Sequence, residues 1–138
     1  MKKFILIGSV LFLFFQSCKN KQDKAKEKQA YEDSKENIEH TEKKSPLQFL
    51  SVEGRDKKNI LGQTVVKGTV KSYAKLVAYK DIDLKLSFFS KTRSLLEEDH
   101  EILYETIQPG GQIEFKSKYF APKGTDSVFI KVVEAKVE

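Results

Sequence analysis

The stretch Asp81-Ile82-Asp83-Leu84-Lys85-Leu86-Ser87-Phe88-Phe89 decides the fold. Ile82, Leu84, Leu86 and Phe88 fall on one side of an extended chain, and Asp81, Asp83, Lys85 and Ser87 fall on the other. Successive side chains of a strand point to opposite faces. The alternation therefore predicts a strand with one face in a core and one in water, as antiparallel sheets carry.

The neighbouring sequence repeats that pattern. Over 64–71, Val66, Gly68 and Val70 oppose Lys67, Thr69 and Lys71. A short strand is expected at 48–52 with Phe49 and Leu50 packed, and Gly54-Arg55-Asp56-Lys57-Lys58-Asn59 reads as turn material. Residues 101–107 and 112–116 flank Pro109-Gly110-Gly111 and read as a hairpin. After the turn Pro122-Lys123-Gly124 comes a last strand over 127–137. Its apolar set begins as Val128, Ile130 and Val132, then continues as Val133, Ala135 and Val137. Such a change of phase needs an extra residue, so a β-bulge is expected near Val132. Roughly seven short strands joined by regular turns predict an all-β, immunoglobulin-like antiparallel β-sandwich over residues 46–138. An open barrel is the competing architecture.

Three runs in this region resemble FxLYD-type domains: Val66-Lys67-Gly68-Thr69-Val70-Lys71-Ser72, the stretch from Tyr79 through Ser90, and Ile107-Gln108-Pro109-Gly110. Their order is similar to a Gly-x-Val strand, an alternating strand ending in an aromatic pair, and a Pro-Gly turn. The resemblance covers roughly Leu61 to Val137. It implies a β-sandwich on bacterial envelope proteins, and it lends no catalytic residue.

Upstream, the chain is organised around Cys18, its only cysteine. Lys2 and Lys3, then the apolar run from Phe4 to Phe15, then Gln16 and Ser17, form the parts of an export signal. The apolar run is shorter than the ~20 residues a spanning helix needs. A small residue just before a lone cysteine resembles a bacterial lipoprotein signal. Residues 1–17 are then the signal peptide, and the mature chain is held in a membrane by acyl chains, palmitate among them, on Cys18. The residues after Cys18 are Lys19, Asn20, Lys21, Gln22 and Asp23. They lack the acidic run that directs some Bacteroidota lipoproteins to the cell surface, so a periplasm-facing location is expected.

Residues 18–45 form a charged tether. Lysines crowd its first part, and Glu32, Asp33, Glu36, Glu39 and Glu42 crowd its second. With so few apolar residues no buried face is expected, and the stretch reads as a disordered or partly helical spacer. Ion pairs such as Glu39 with Lys43 give only ~0.2–0.5 kcal/mol each to a lone helix. The basic end suits anionic headgroups.

Chemistry-bearing constellations are sparse. Glu97-Glu98-Asp99-His100-Glu101 is the one cluster with cation-binding side chains. It lacks the glycine and the ligand spacing of a calcium loop, and it reads as a charged turn; no metal or cofactor is expected. His40 and His100 accompany no nucleophile motif. Tyr79 and Phe120 are expected to plug the ends of the core, whereas Tyr73 and Tyr119 are candidate partner contacts. The formal net charge of +5 loses Lys2 and Lys3 on processing, and it does not point to nucleic acid. These readings converge on a non-enzymatic, lipid-anchored envelope protein that serves as an interaction or accessory module for a protein partner. The alternative is a periplasmic module that binds an ion or a small polar ligand.

Overall fold

The computed structural model describes residues 20–138, with side chains from Lys24 onward. Met1 through Lys19, and with them Cys18 and the signal, lie outside the described residues. Helix α1 spans Asn20–Lys44, a 3-10 turn spans Pro46–Phe49, and six strands follow. These are β1 (Leu50–Lys58), β2 (Thr64–Ser72), β3 (Tyr79–Ser90), β4 (Leu95–Leu103), β5 (Gln112–Tyr119) and β6 (Thr125–Val137). They form two three-stranded antiparallel sheets, ordered β1-β2-β5 and β4-β3-β6. The fold is an all-β sandwich, built from six strands where about seven were expected from turn spacing.

Strand β3 is the centre of its sheet, and Ile82, Leu84, Leu86 and Phe88 are buried in the core as the alternation predicts. Val66 and Val70 meet them from β2. The last strand changes phase where expected. Leu84 pairs with Val132 and Asp83 with Glu134, which leaves Val133 as the extra residue. A matching irregularity lies on β3, where Asp81 adopts φ 47 and pairing passes from Lys80 to Asp83. Aspartate tolerates this left-handed conformation better than most residues. The paired bulges flip both strands together. Tyr79 therefore stays buried although it is out of step with Ile82, and Val137 stays inward although it is out of step with Val132.

Two local expectations change. Residues 54–58 do not turn but extend β1 to Lys58, because each pairs with β2 across a full ladder. Cross-strand bonding overrides their weak strand preference. A Cβ on Gly54 would meet the flexible end of the Ile130 side chain on β6, which would have to shift. The true turn is 59–63, closed by Asn59, whose Oδ1 accepts from the amides of Leu61 and Gln63 at 2.9 Å. Gly62 supplies the positive φ of 77° there. The hairpin expected from 101–107 and 112–116 does not form. Strand β4 ends at Leu103 and pairs with β3, whereas β5 pairs with β2 in the other sheet. Pro109-Gly110-Gly111 turns the chain between sheets.

The tether is also more structured than its composition suggests. Its helix runs to Lys44, and the compact unit that holds the sandwich begins at Lys35. Glu42, one of the least apolar positions, is 1% exposed. Its carboxylate accepts the backbone amides of Lys75 at 2.7 Å and of Leu76 and Val77 at 2.9 Å. Successive amides in a turn make an anion-binding concavity. Tyr79 closes the site by donating its hydroxyl to the Glu42 carbonyl at 3.0 Å.

Candidate interaction surface

The register of β1, β2 and β5 places one set of side chains on the outer face of their sheet. Rows across it read Glu53–Thr69–Glu114, then Arg55–Lys67–Lys116, then Lys57–Val65–Lys118. The middle row sets three cations directly opposite one another, and the next flanks Val65 with two more. Like charges facing each other across strands destabilise a sheet by roughly 0.2–1 kcal/mol per pair. Lys71 meets Glu53 at 3.7 Å at the far end of the face. Among the described residues, no ion pair neutralises Arg55, Lys57, Lys67, Lys116 or Lys118. These side chains, with the carboxylates of Glu53, Asp56 and Glu114, line an open concavity of about 1290 Å³. A surface of this kind lowers its own repulsion by receiving an anionic group.

The face of the second sheet is arranged in the opposite way. Lys85 meets Glu98 at 2.8 Å, His100 meets Asp83 at 3.0 Å, and Lys136 meets Asp81 at 3.1 Å. The hydrogen bond from Lys85 holds the Glu98 carboxyl below its ordinary range. The acidic stretch singled out in the sequence is therefore part of β4, not a turn. Its side chains alternate. Glu98 and His100 share the outer face, while Glu97, Asp99 and Glu101 pair with the inward positions Phe88, Leu86 and Leu84. Among the described residues, no three metal-binding side chains converge. Acids turned inward on an edge strand discourage its pairing with another chain.

The two tyrosines proposed as contacts sit differently. Tyr73 is 61% exposed, and its amide donates to the Phe49 carbonyl at 2.8 Å. Tyr119 turns its hydroxyl to the Glu101 carboxylate, which also accepts from Ser117. Its ring stands edge-on to Phe88 at 5.9 Å. Tyr119 thus rivets the β5 edge of one sheet to the β4 edge of the other. Burial, followed by the adjacent Glu101, pushes its phenol well above its ordinary range. Tyr79 plugs the core as expected, but Phe120 does not. It is 84% exposed on the loop after β5, because alternation gives the inward place to Tyr119.

No single motif marks the cationic face. Arg55, Lys67 and Lys116 are distant in sequence and meet only through strand pairing. The outward lysines of 64–71 are legible in the sequence as one strand of it, but their neighbours on β1 fall in the turn-like stretch 54–59.

No protein-family model, curated protein or solved structure matches the chain. Among the described residues, no helix is long and apolar enough to cross a membrane.

Proposed function

We propose that the chain is a non-enzymatic envelope lipoprotein of the FxLYD-like kind, anchored through acylated Cys18 and facing the periplasm. Its sandwich serves as an interaction module for an anionic partner in the envelope. The observation that carries this reading is the row Arg55–Lys67–Lys116, three opposed and unpaired cations on one sheet face. An arrangement that costs folding stability is consistent with a surface kept for binding. The lone cysteine after an export-type apolar run supports the anchor. A tether concentrates such a module near its membrane and raises the effective concentration of partners there.

The test is in-cell crosslinking and recovery of tagged protein. Wild type is compared with Cys18→Ser and with the double variant Lys67→Glu/Lys116→Glu. A defined partner recovered with wild type and lost from both variants is expected. Undiminished recovery with the charge-reversed variant rejects the cationic face as the contact, and undiminished recovery with Cys18→Ser rejects the anchor.

A further inference from the structure

We propose that the end of the sandwich formed by the turn 59–63 and the loop 120–124 docks on an anionic lipid bilayer. This inference rests on the reading of the β1-β2-β5 face as an anion-binding surface, and it adds an apolar contact at one end of that face.

Ile60 is 102% exposed, Phe120 84% and Leu61 75%. Three large apolar side chains therefore stand in water on two adjoining loops. The loops adjoin because Thr64, just after the turn, pairs with Tyr119, just before Phe120. Lys58 ties them further by donating to the Thr125 carbonyl at 3.2 Å. The turn is preformed, since the Asn59 side chain receives two amides and also bonds Gln63 Oε1 at 3.0 Å. Ile60 and Leu61 are thus presented by a closed turn.

Charge surrounds this tip. Lys57 and Lys118 lie in the row nearest it, Lys123 sits in the loop itself, and Asp56 and Asp126 are the acidic neighbours in sequence. Exposed aliphatic and aromatic side chains flanked by Lys57, Lys118 and Lys123 match the membrane interface, where acyl chains accept the first and anionic headgroups the second. A nucleic acid or an acidic glycan offers the lysines a partner but gives Ile60 and Leu61 nowhere to go. A folded acidic protein would need a socket for three projecting side chains, whereas a bilayer yields around them. The tip also lies at the Lys58 end of β1, away from the Leu50 end at which the chain arrives from α1.

The experiment uses the full chain with Cys18→Ala and a single new cysteine, Leu61→Cys, carrying a polarity-sensitive fluorophore. A second protein carries the fluorophore at Tyr73→Cys, an exposed position at the opposite end, and answers for attachment through the N-terminal apolar run. Both are added to phosphatidylcholine vesicles with and without phosphatidylglycerol, prepared with brominated acyl chains. Quenching at position 61 but not at 73, only on the anionic vesicles, is expected. Lys57→Gln and Lys118→Gln should each weaken that binding about fivefold. Ile60→Glu with Phe120→Glu should abolish it without changing the melting temperature. Equal quenching at 61 and 73, quenching on neutral vesicles alone, or none at 61 overturns the proposal. A response at 61 to soluble polyglutamate without quenching on vesicles overturns it in favour of an acidic protein. In each of these cases, partner loss in Lys67→Glu/Lys116→Glu still stands as support for the cationic face.

Discussion

The outer faces of the two sheets draw on similar side chains and arrange them in opposite ways. On β4-β3-β6, opposite charges meet within hydrogen-bonding distance, as in Lys85–Glu98 and Lys136–Asp81. On β1-β2-β5, Arg55, Lys67 and Lys116 face one another, and Glu53 and Glu114 are set in a separate row. The first face is complete in itself. The second leaves its cations without ion-pair partners among the described residues. Composition does not separate them; cross-strand register does.

That comparison presumes that both sheets share one cooperative core, and the largest expected effect tests this. Glu42→Ala leaves the amides of Lys75, Leu76 and Val77 without their acceptor. A buried unsatisfied donor costs ~1–3 kcal/mol, so a loss on the order of 3 kcal/mol is expected from chemical denaturation. Both sheets should unfold in one transition. Separate transitions for reporters on the two sheets would show that the faces belong to independent units.

A smaller effect is confined to the paired sheet, where β3 begins at Tyr79. Burial, and then the nearby Glu42, pushes the Tyr79 phenol from 10.0 up to about 12. The folded state thus favours the neutral phenol. Its contribution is fully present below pH 10 and is lost as pH rises through about 12. Tyr79→Phe should cost ~1 kcal/mol at neutral pH through the lost hydrogen bond. It should also flatten part of the alkaline limb of a stability–pH profile. An unchanged limb would place the titrating group elsewhere, with Tyr119 the next to test.

The smallest effects compare the faces directly and should differ in sign. Lys67→Ala removes opposed repulsion and should stabilise the fold by ~0.2–1 kcal/mol. Added salt should narrow the gap between Lys67→Ala and wild type. Lys85→Ala breaks the contact with Glu98 and should slightly lower the melting temperature. Because the Glu98 pKa is depressed, the benefit of that contact is present above the ordinary carboxylate range and is lost as pH falls through the depressed value. Thermal melts at two salt concentrations and two pH values measure both variants. If both lysines shift stability in the same direction, the contrast between the faces fails.

Much of the fold is legible in the sequence. The alternation in 81–89 marked a half-buried strand, and it proved to be the central one. The phase change in 127–137 revealed the bulge at Val133 without its partner at Asp81. Strand β1 was cut short because Gly54 through Lys58 have turn-like chemistry, and only the ladder with β2 shows that they extend. The hairpin expected at Pro109 does not form because a turn motif specifies a change of direction but does not say which sheet receives the returning strand. The candidate surface was visible only in fragments, since Lys67 and Lys71 alternated within one segment while Arg55 and Lys116 arrived from elsewhere. Phe120 lies outside the core it was expected to plug, because one step along the strand from Tyr119 reverses which side chain faces in.

The sequence by itself determined what local period and composition can encode: the strand character of β2, β3 and β6, the bulge, the charged segment ahead of the sandwich, and the setting of Cys18 after an apolar run. Tertiary structure alone decided which strands are neighbours, and so which charges oppose and which cancel. It also decided that Glu42, one acid among many in a polar helix, is captured by three amides from 75–77. The physical reason is the same in each case. Alternation and charge are properties of a segment, whereas register and hydrogen-bond satisfaction are properties of pairs that the chain brings together only when the core closes.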